Sequence, residues 1–195
     1  DVPDGETRRR EPAATLRLLV VGALQESKRV DVAIRALAAL RAAARWECDV
    51  VGDGEERPAL EALAASFGRS LPIRFHGARP DVAPFYRRAD LLLFPSRLEH
   101  APLVLMEAMR HGLPVLAMDG RAPGILTASH EIVDDGDTGW LARSERDFAD
   151  RLGMLAADPA LVAAAGRRAQ QAARVRFDYA RHVDRWEALL GALVR

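Results

Sequence analysis

Short apolar runs alternate with stretches of helical spacing along the first part of the chain. Leu91–Phe94 is entirely apolar and Leu16–Val21 nearly so, whereas Val30, Ile34 and Leu37 recur at intervals of three or four residues. Continuous apolar runs are typical of strands buried on both faces, and the second spacing is typical of an amphipathic helix. The pattern therefore predicts strands and helices in alternation.

The predicted boundaries follow these periods and the turn residues between them. Strands are predicted at Leu16–Val21, Cys48–Val51, Ile73–His76, Leu91–Phe94 and Pro114–Met118, and helices at 30–44, 57–67, 81–88 and 102–111. Beyond Gly120 we expect short edge segments at Glu131–Val133 and Trp140–Leu141, then three helices with Ser144, Asp158 and Asp178 at their N-termini. This alternation indicates an α/β fold with a doubly wound parallel sheet and C-terminal helices.

Length and composition favour one domain behind a short linker. The chain has 195 residues, and residues 1–15 are polar, contain two prolines and lack a period, so the predicted domain spans 16–195. The 28 basic and 28 acidic residues balance, which argues against a nucleic-acid partner. The one cysteine, Cys48, cannot form an internal disulfide. That usage fits a reducing compartment, and we expect a cytoplasmic location.

Lys28 is the chain's single lysine among 27 arginines, and it follows a predicted strand that ends at Gly22. Ligands of open α/β sheets bind outside the carboxyl ends of the strands. A lysine there can act as a point charge on a diphosphate, although it can also be an ordinary residue of a surface helix. Both interpretations stay open on spacing alone.

Two glutamates bracket the start of the predicted 102–111 helix. Glu99 and Glu107 are separated by seven residues, slightly over two helical turns, so Glu107 lies below the loop that carries Glu99. A carboxylate accepts two hydrogen bonds and therefore suits the vicinal hydroxyls of a ribose or hexose. His100 is a further candidate contact with a sugar. The alternative makes Glu99 a loop charge and Glu107 a solvated helix residue.

The same helix is predicted to bind an anion at its N-terminus. It is expected to begin near Ala101 or Pro102, which would leave the amides of Leu103 and Val104 unpaired. Unpaired first-turn amides attract phosphate. The residues around Glu107 are apolar nearly all round the helix, so a surface salt bridge does not explain an acid there.

Several other chemistries lack their sequence signals. Gly52-Asp53-Gly54 has no third glycine at dinucleotide spacing and is interpreted as a tight turn between a strand and a helix. The five histidines show no metal-ligand spacing, and no metal site is predicted. Ser96 lacks the glycine-flanked turn of a hydrolase nucleophile.

These residues resemble a known family. The run from Glu99 through His-Ala-Pro-Leu-Val-Leu-Met to Glu107-Ala-Met resembles the Glu-x7-Glu motif of retaining GT-B glycosyltransferases, especially glycosyltransferase family 4. Further segments stand in the family's order: Leu19-Val-Val-Gly-Ala-Leu with Lys28, Val50-Val-Gly-Asp-Gly-Glu-Glu-Arg, Arg74-Phe-His-Gly, Ala89-Asp-Leu-Leu-Leu-Phe-Pro-Ser, His111-Gly-Leu-Pro-Val-Leu-Ala and Asp135-Gly-Asp-Thr-Gly-Trp-Leu. The resemblance covers roughly residues 16–190.

The resemblance implies the Rossmann-like, nucleotide-sugar-binding C-terminal half of a two-domain GT-B enzyme. Lys28 and Glu99 would be catalytic, with Lys28 on the donor diphosphate, Glu99 on the donor sugar and Glu107 on the ribose. The implied donor-binding set is Gly22, Lys28, Arg79 (near the base), Glu99, His100, Ala101, Leu103, Val104 and Glu107. No metal or cofactor is implied. The donor would be a UDP-, GDP- or ADP-sugar, and the glycosidic bond would form with retention.

Three departures from the family pattern stand out. Ala23 replaces the arginine of the first loop, and Arg29 replaces the glycine after the lysine. The segment 121–130 looks like an insertion at a loop that approaches the donor. Losing one charge-assisted contact costs ~1.5–3 kcal/mol, which corresponds to roughly ten- to a hundredfold in donor affinity.

The family's N-terminal, acceptor-binding domain is absent from these 195 residues. We therefore expect either an excised domain or one half of a split enzyme, which binds a nucleotide sugar but does not transfer it alone. The expected partners are the nucleotide sugar and that N-terminal domain, through which any peripheral membrane association would come. Two alternatives remain: a non-catalytic module with a degenerate donor site, and a GT-B epimerase or phosphorylase.

Overall fold

The computed structural model describes residues 15–40, 45–67 and 71–193, without the side chains of 179–182 and 185. Nearly all of the predicted 1–15 linker, and part of the predicted 30–44 helix, lie outside these ranges. The strands are β1 (Leu16–Val21), β2 (Trp46–Val51), β3 (Ile73–Phe75), β4 (Leu91–Phe94), β5 (Leu98–Glu99), β6 (Val115–Met118), β7 (Leu126–Thr127) and β8 (Gly139–Ala142). The helices are α1 (Val30–Ala38), α2 (Arg57–Ala65), α3 (Ala83–Arg88), α4 (Leu103–Arg110), α5 (Ser129–Ile132), α6 (Glu145–Ala157), α7 (Pro159–Arg176) and α8 (Tyr179–Leu193).

Six of the strands form one parallel sheet in the order β3-β2-β1-β4-β6-β8. The chain builds outward from β1 to β3, then returns to the other side of β1 and builds outward again from β4 to β8. This reversal is the doubly wound topology, and it confirms the predicted fold class. Its switch point lies between the carboxyl ends of β1 and β4, where the order of strand addition reverses.

Both faces of the sheet are covered, which explains the continuous apolar runs. Leu18 and Val20 of β1 pack in one buried cluster with α1 and α6, represented by Ile34 and Phe148. Leu19, which points to the opposite face, packs in a second cluster with α4, α5 and α7. Because alternate residues of β1 enter different cores, consecutive positions from Leu18 to Val20 are all apolar.

The carboxyl ends of β1, β2 and β3 approach one another unusually closely. The amide of Gly22 donates to the carbonyl of Val51 over 3.0 Å, and the amide of Gly52 donates to the carbonyl of Gly77 over 2.9 Å. Gly52 has φ +140°, and a Cβ atom there would lie 1.9 Å from the carbonyl oxygen of Gly22. Only glycine therefore allows this approach.

Most predicted boundaries of the strands and helices agree with the structure within a few residues. Gly112 ends α4 with φ +67°, as expected of a left-handed cap. Ser144 accepts a hydrogen bond from the amide of Asp147 (3.1 Å), and Asp158 accepts one from the amide of Leu161 (3.0 Å). Cys48 is buried in β2.

The prediction of an edge segment at Glu131–Val133 is wrong. Residues up to Ile132 belong to α5, and the amide of Val133 donates to the carbonyl of Ser129 over 2.8 Å, closing a helical turn. The segment has no place in the sheet because β8 pairs directly with β6. The other predicted segment, Trp140–Leu141, does lie in the edge strand β8.

No helix in the described part of the chain is long and apolar enough to cross a lipid bilayer.

We predict that Gly52→Ala destabilises the domain by about 3 kcal/mol, because it combines an unfavourable φ with a clash against backbone that cannot move alone. Urea unfolding measures this loss. The matched control is Gly136→Ala, where φ is +79° but no atom lies within 4 Å of a Cβ. The control should lose only about 1 kcal/mol. Equal losses for the two variants would contradict the close approach of β1 and β2.

Candidate functional site

The loops that follow β1 and β4 meet at the switch point of the sheet. A short 3-10 turn, Glu26–Lys28, follows β1, and residues 95–102 follow β4. The amide of Arg97 donates to the carbonyl of Ser27 over 2.8 Å. The two loops are therefore joined through their backbones.

Lys28 and Glu99 come together at this junction. The ammonium of Lys28 donates to Oε1 of Glu99, and the two side chains are only 20% and 25% exposed. Partial removal from water strengthens their attraction relative to a surface pair. The structure thus brings together the two residues to which the sequence assigned a diphosphate and a sugar.

The residue after the lysine adopts a strained conformation. Arg29 has φ +49°, the left-handed region in which a residue with a Cβ is disfavoured. Its guanidinium donates to Asp31 (3.2 Å) and to Glu145 of α6 (2.6 Å), and the bond to Asp31 is the main cause that raises its pKa. Since these carboxylates already neutralise Arg29, it does not substitute for the arginine missing at Ala23.

Arg97 is a basic residue of this edge that the sequence reasoning did not single out. Its backbone joins the two loops, and its side chain is about half exposed, 3.6 Å from the carboxylate of Glu26. Glu26 is itself 80% exposed, so solvent weakens the pair. Arg97 reaches this position because β4 lies beside β1 in the sheet. No sequence motif identified Arg97 as a candidate.

Glu107 lies on the solvent-facing side of α4. The apolar residues of this helix do not all enter the core, since Leu103 is 61% exposed beside the exposed Glu107, whereas Leu105 and Met109 are fully buried. Oε2 of Glu107 nevertheless accepts a 2.9 Å hydrogen bond from the hydroxyl of the buried Tyr86. Sequence spacing gave no signal for this contact.

One of the two amides expected to bind phosphate is already used. The amide of Leu103 donates to the carbonyl of Ala101 over 2.8 Å, so the expectation that this amide is unpaired is wrong. Pro102, with φ −75° and ψ 76°, forms the centre of an inverse γ-turn that closes this bond. Pro102 is consequently the N-cap and not the first helical residue. The amide of Val104 donates to no acceptor among the described residues.

The remaining predicted site residues share this edge of the sheet at its surface. Gly22 directly follows β1, and His100 and Ala101 are exposed between Glu99 and α4. Arg79 is exposed in the loop after β3, two strands away from β1. Within the described part of the chain, the side chains of His100, Ala101 and Arg79 form no hydrogen bond or ion pair with Lys28, Glu99 or Glu107.

The segment 121–130 pairs with the strand that carries Glu99. Strand β7 lies parallel to β5, with Thr127 opposite Glu99. Ser129 anchors the segment from behind, since its hydroxyl donates to the carbonyl of Met118 (2.6 Å) and accepts from the amide of Gly120 (3.1 Å). The departure that the sequence singled out therefore supports the backbone of Glu99.

A buried carboxylate holds the start of this segment. Asp119, 2% exposed at the end of β6, accepts two side-chain bonds from Arg121 (2.9 and 3.0 Å) and one from the Arg121 amide (3.0 Å). Arg143 lies 3.9 Å from the same carboxylate. The bonds from Arg121 are the main reason that the pKa of Asp119 lies below its ordinary value.

The described residues contain no group of three or more His, Cys, Asp or Glu side chains that could hold a metal ion.

Burial, and then the charge of Asp49, raise the pKa of the Cys48 thiol well above its ordinary value, so it stays protonated at neutral pH.

Comparison with known proteins links this arrangement to carbohydrate enzymes. A sequence model of the family described as "Glycosyl transferases group 1" matches residues 15–158. An exopolysaccharide phosphotransferase of Streptomyces coelicolor is 30% identical over 197 residues, covering 99% of this chain and 20% of that protein. A D-inositol 3-phosphate glycosyltransferase of Nocardia farcinica is 40% identical over 150 residues, covering 71% of this chain and 32% of that protein.

The fold has close counterparts among solved structures. The crystal structure of HepE from Anabaena in complex with UDP and glucose superposes with a TM-score of 0.79, at 24% identity, over 92% of this chain and 49% of that one. This chain spans about a fifth to a third of the two relatives above and about half of HepE. Since that identity is low, the likeness to HepE shows the fold.

We predict that Asp119→Asn costs about 1 kcal/mol of stability at pH 7, a modest value because Arg121 is largely exposed. The pKa of Asp119 is lowered, so its contribution is complete above the ordinary Asp value of ~3.9 and is lost as pH falls further. The penalty should therefore shrink when unfolding is measured at successively lower pH below ~4.

Asp150→Asn is the matched control, because Asp150 is 72% exposed and its nearest partner, Arg146, is 3.8 Å away. It should change stability little at any pH. A penalty for Asp119→Asn that is the same at pH 3 and pH 7 would contradict the role of its charge.

Proposed function

Because this chain belongs to the group 1 glycosyl transferases, we propose that it is the donor-binding domain of a retaining glycosyltransferase, which moves a sugar from a nucleotide diphosphate sugar to an acceptor. The observation that carries the proposal is the meeting of Lys28 and Glu99 at the switch point, beside the α4 end with its Val104 amide. Cation, carboxylate and amide are the groups that a sugar diphosphate needs.

Lys28 and the Val104 amide bind the diphosphate in this proposal. The lysine is mostly buried, so its charge is less screened than that of a surface residue. Oε1 of Glu99 is bonded to Lys28, which leaves Oε2 for a hydroxyl of the donor sugar. His100 and Ala101, exposed beside Glu99, line the sugar, and Gly22 lets the chain approach the phosphates.

Glu107 binds the ribose hydroxyls, and Arg79 lies beside the base. Tyr86 occupies one oxygen of the Glu107 carboxylate, and Oε1 remains for the ribose. HepE has been crystallised with UDP-glucose, and its fold is shared. We therefore take UDP as the first nucleotide to test, with GDP and ADP beside it.

The chemistry follows from charge that develops on the leaving diphosphate. Lys28 stabilises that charge as the bond between the anomeric carbon of the donor sugar and the diphosphate breaks, and we propose transfer without a metal ion or other cofactor. The acceptor hydroxyl attacks the face from which the diphosphate leaves, its proton passes to an oxygen of the leaving diphosphate, and the new glycosidic bond forms with retention. Glu99 stays on the sugar while the bond to the diphosphate lengthens.

We propose that a second domain supplies the acceptor site. The chain matches 49% of HepE and 32% of the Nocardia farcinica glycosyltransferase, so its relatives contain far more than this domain. On this basis the chain binds the donor but does not turn it over alone. We propose that it works in the cytoplasm, and that any contact with a membrane surface comes through the other domain.

Calorimetric titration of this chain with UDP, GDP and ADP, in EDTA, tests donor binding. We expect saturable binding of one nucleotide. Lys28→Ala should weaken it about ten- to a hundredfold, the value of one charge-assisted contact, and Glu107→Ala should weaken it about as much. The control is Arg35→Ala, which removes a cation that is 59% exposed on α1, and it should leave the affinity unchanged.

The exposed Ala23 favours a second candidate, a module of this fold whose donor site has decayed. It predicts that none of the three nucleotides binds at millimolar concentration. That result, obtained with and without Mg²⁺, would contradict the proposed donor site.

Glu99→Gln is expected to affect the binding of the nucleotide and the binding of the sugar in different ways. Removing a negative charge next to Lys28 should let UDP alone bind as tightly or a few times more tightly. UDP-glucose should lose about tenfold in affinity relative to UDP, because the variant lacks the carboxylate that accepts from the sugar hydroxyl. The ratio of the two dissociation constants measures this.

Glu26→Gln serves as the comparison for this prediction, since Glu26 is 80% exposed on the same turn. It should leave that ratio unchanged. If Glu99→Gln instead weakened UDP as strongly as Lys28→Ala does, Glu99 would act by holding the lysine and not by contacting the sugar.

A further inference from the structure

Tyr86 connects the core of the domain to Glu107. Its ring is 2% exposed in α3, yet its hydroxyl reaches the carboxylate of Glu107 on α4, where Oε2 accepts the bond over 2.9 Å. Glu107 is otherwise exposed to solvent. A buried donor thus holds a side chain that would be free to sample many rotamers, and glutamate loses much rotamer entropy when it is ordered.

His111 completes this arrangement at the end of α4. Its ring stacks on that of Tyr86, with centroids 5.2 Å apart and planes inclined by 20°. Its Nδ1 lies 2.8 Å from the carbonyl oxygen of Glu107. The Tyr86 ring therefore packs against the residue that follows α4, and that residue is itself held by the backbone of Glu107.

The hydroxyl remains a donor over the whole physiological range. Burial, and then the negative charge of Glu107, raise the pKa of Tyr86 well above its ordinary value. A protonated hydroxyl that donates to a carboxylate forms a charge-assisted hydrogen bond, which is stronger than a neutral one. The carboxylate accepts through one oxygen and keeps acceptor sites on Oε1 for another ligand.

We propose that Tyr86 is a positioning residue for the ribose: its hydroxyl orients the Glu107 carboxylate so that Oε1 faces the two ribose hydroxyls. This inference rests on the proposed function, which assigns Glu107 to the ribose. Tyr86 contacts no part of the nucleotide itself. It therefore contributes to the preference for a ribonucleotide over an analogue without ribose hydroxyls, and only through Glu107.

The test compares UDP with 2′,3′-dideoxyuridine diphosphate by calorimetry on the 195-residue chain. Tyr86→Phe keeps the ring and removes only the hydroxyl. We expect it to weaken UDP about fivefold to tenfold, the value of one hydrogen bond, and the dideoxy analogue less than twofold. In a Glu107→Gln background the same change should weaken UDP less than twofold. If the chain prefers GDP or ADP, the corresponding dideoxy analogue is used.

A matched control removes another buried hydroxyl, one that bonds Asp134 and not Glu107. Thr138, 1% exposed, accepts from the amide of Asp134 over 2.9 Å at the opposite, amino end of β8. Thr138→Val should lower the melting temperature without changing either affinity. Melting of Tyr86→Phe verifies that it is folded at the temperature of the titration.

The outcomes separate this inference from the proposed function. Equal weakening of UDP and the dideoxy analogue by Tyr86→Phe, or no weakening of either, overturns the positioning role while leaving the donor site intact. If the wild-type chain binds UDP and the dideoxy analogue with equal affinity, Glu107 does not bind the ribose hydroxyls, and the inference is overturned. Binding of no nucleotide overturns the proposed function, and the inference with it.

Discussion

The pairing of β1 with both β2 and β4 is the constraint on which the rest of the structure depends. It reverses the order of strand addition and leaves the loops after β1 and β4 side by side at one edge of the sheet. Lys28 and Glu99, 71 residues apart, form an ion pair because of this reversal. Both faces of β1 and β4 are buried, so a slip in register would break two hydrophobic clusters at once.

Backbone hydrogen bonds and a buried hydroxyl support the candidate site from the side of the domain. The hydrogen bond from Arg97 to Ser27 and the pairing of Glu99 with Thr127 hold the backbone on both sides of the Lys28–Glu99 pair. The buried hydroxyl of Tyr86 likewise holds the side chain of Glu107 by donating a hydrogen bond to its carboxylate. Charged groups held in this way need little further ordering when a ligand arrives, which is the physical basis of preorganised binding.

Departures from the family pattern have structural consequences that can be traced. Arg29 accepts the left-handed conformation that glycine would adopt without strain, and its ion pairs with Asp31 and Glu145 offset the cost by linking α1 to α6. The segment 121–130 adds a strand beside Glu99 and is held by Asp119. Ala23, in contrast, is exposed and has no evident compensation.

The sequence by itself determined the six strands of the parallel sheet and the doubly wound class, because periodicity and turn residues act locally, whereas the short strands β5 and β7 carried no such signal. Strand-end position and motif spacing marked Lys28, Glu99 and Glu107 as candidates. The sequence-based predictions were wrong where the local structure depends on a partner distant in sequence or on a single backbone angle. The γ-turn at Pro102 uses the Leu103 amide, and the pairing of β8 with β6 leaves Glu131 in a helix. Only the tertiary structure revealed Tyr86 beneath Glu107, since a contact between two helices depends on how they pack and leaves no local pattern.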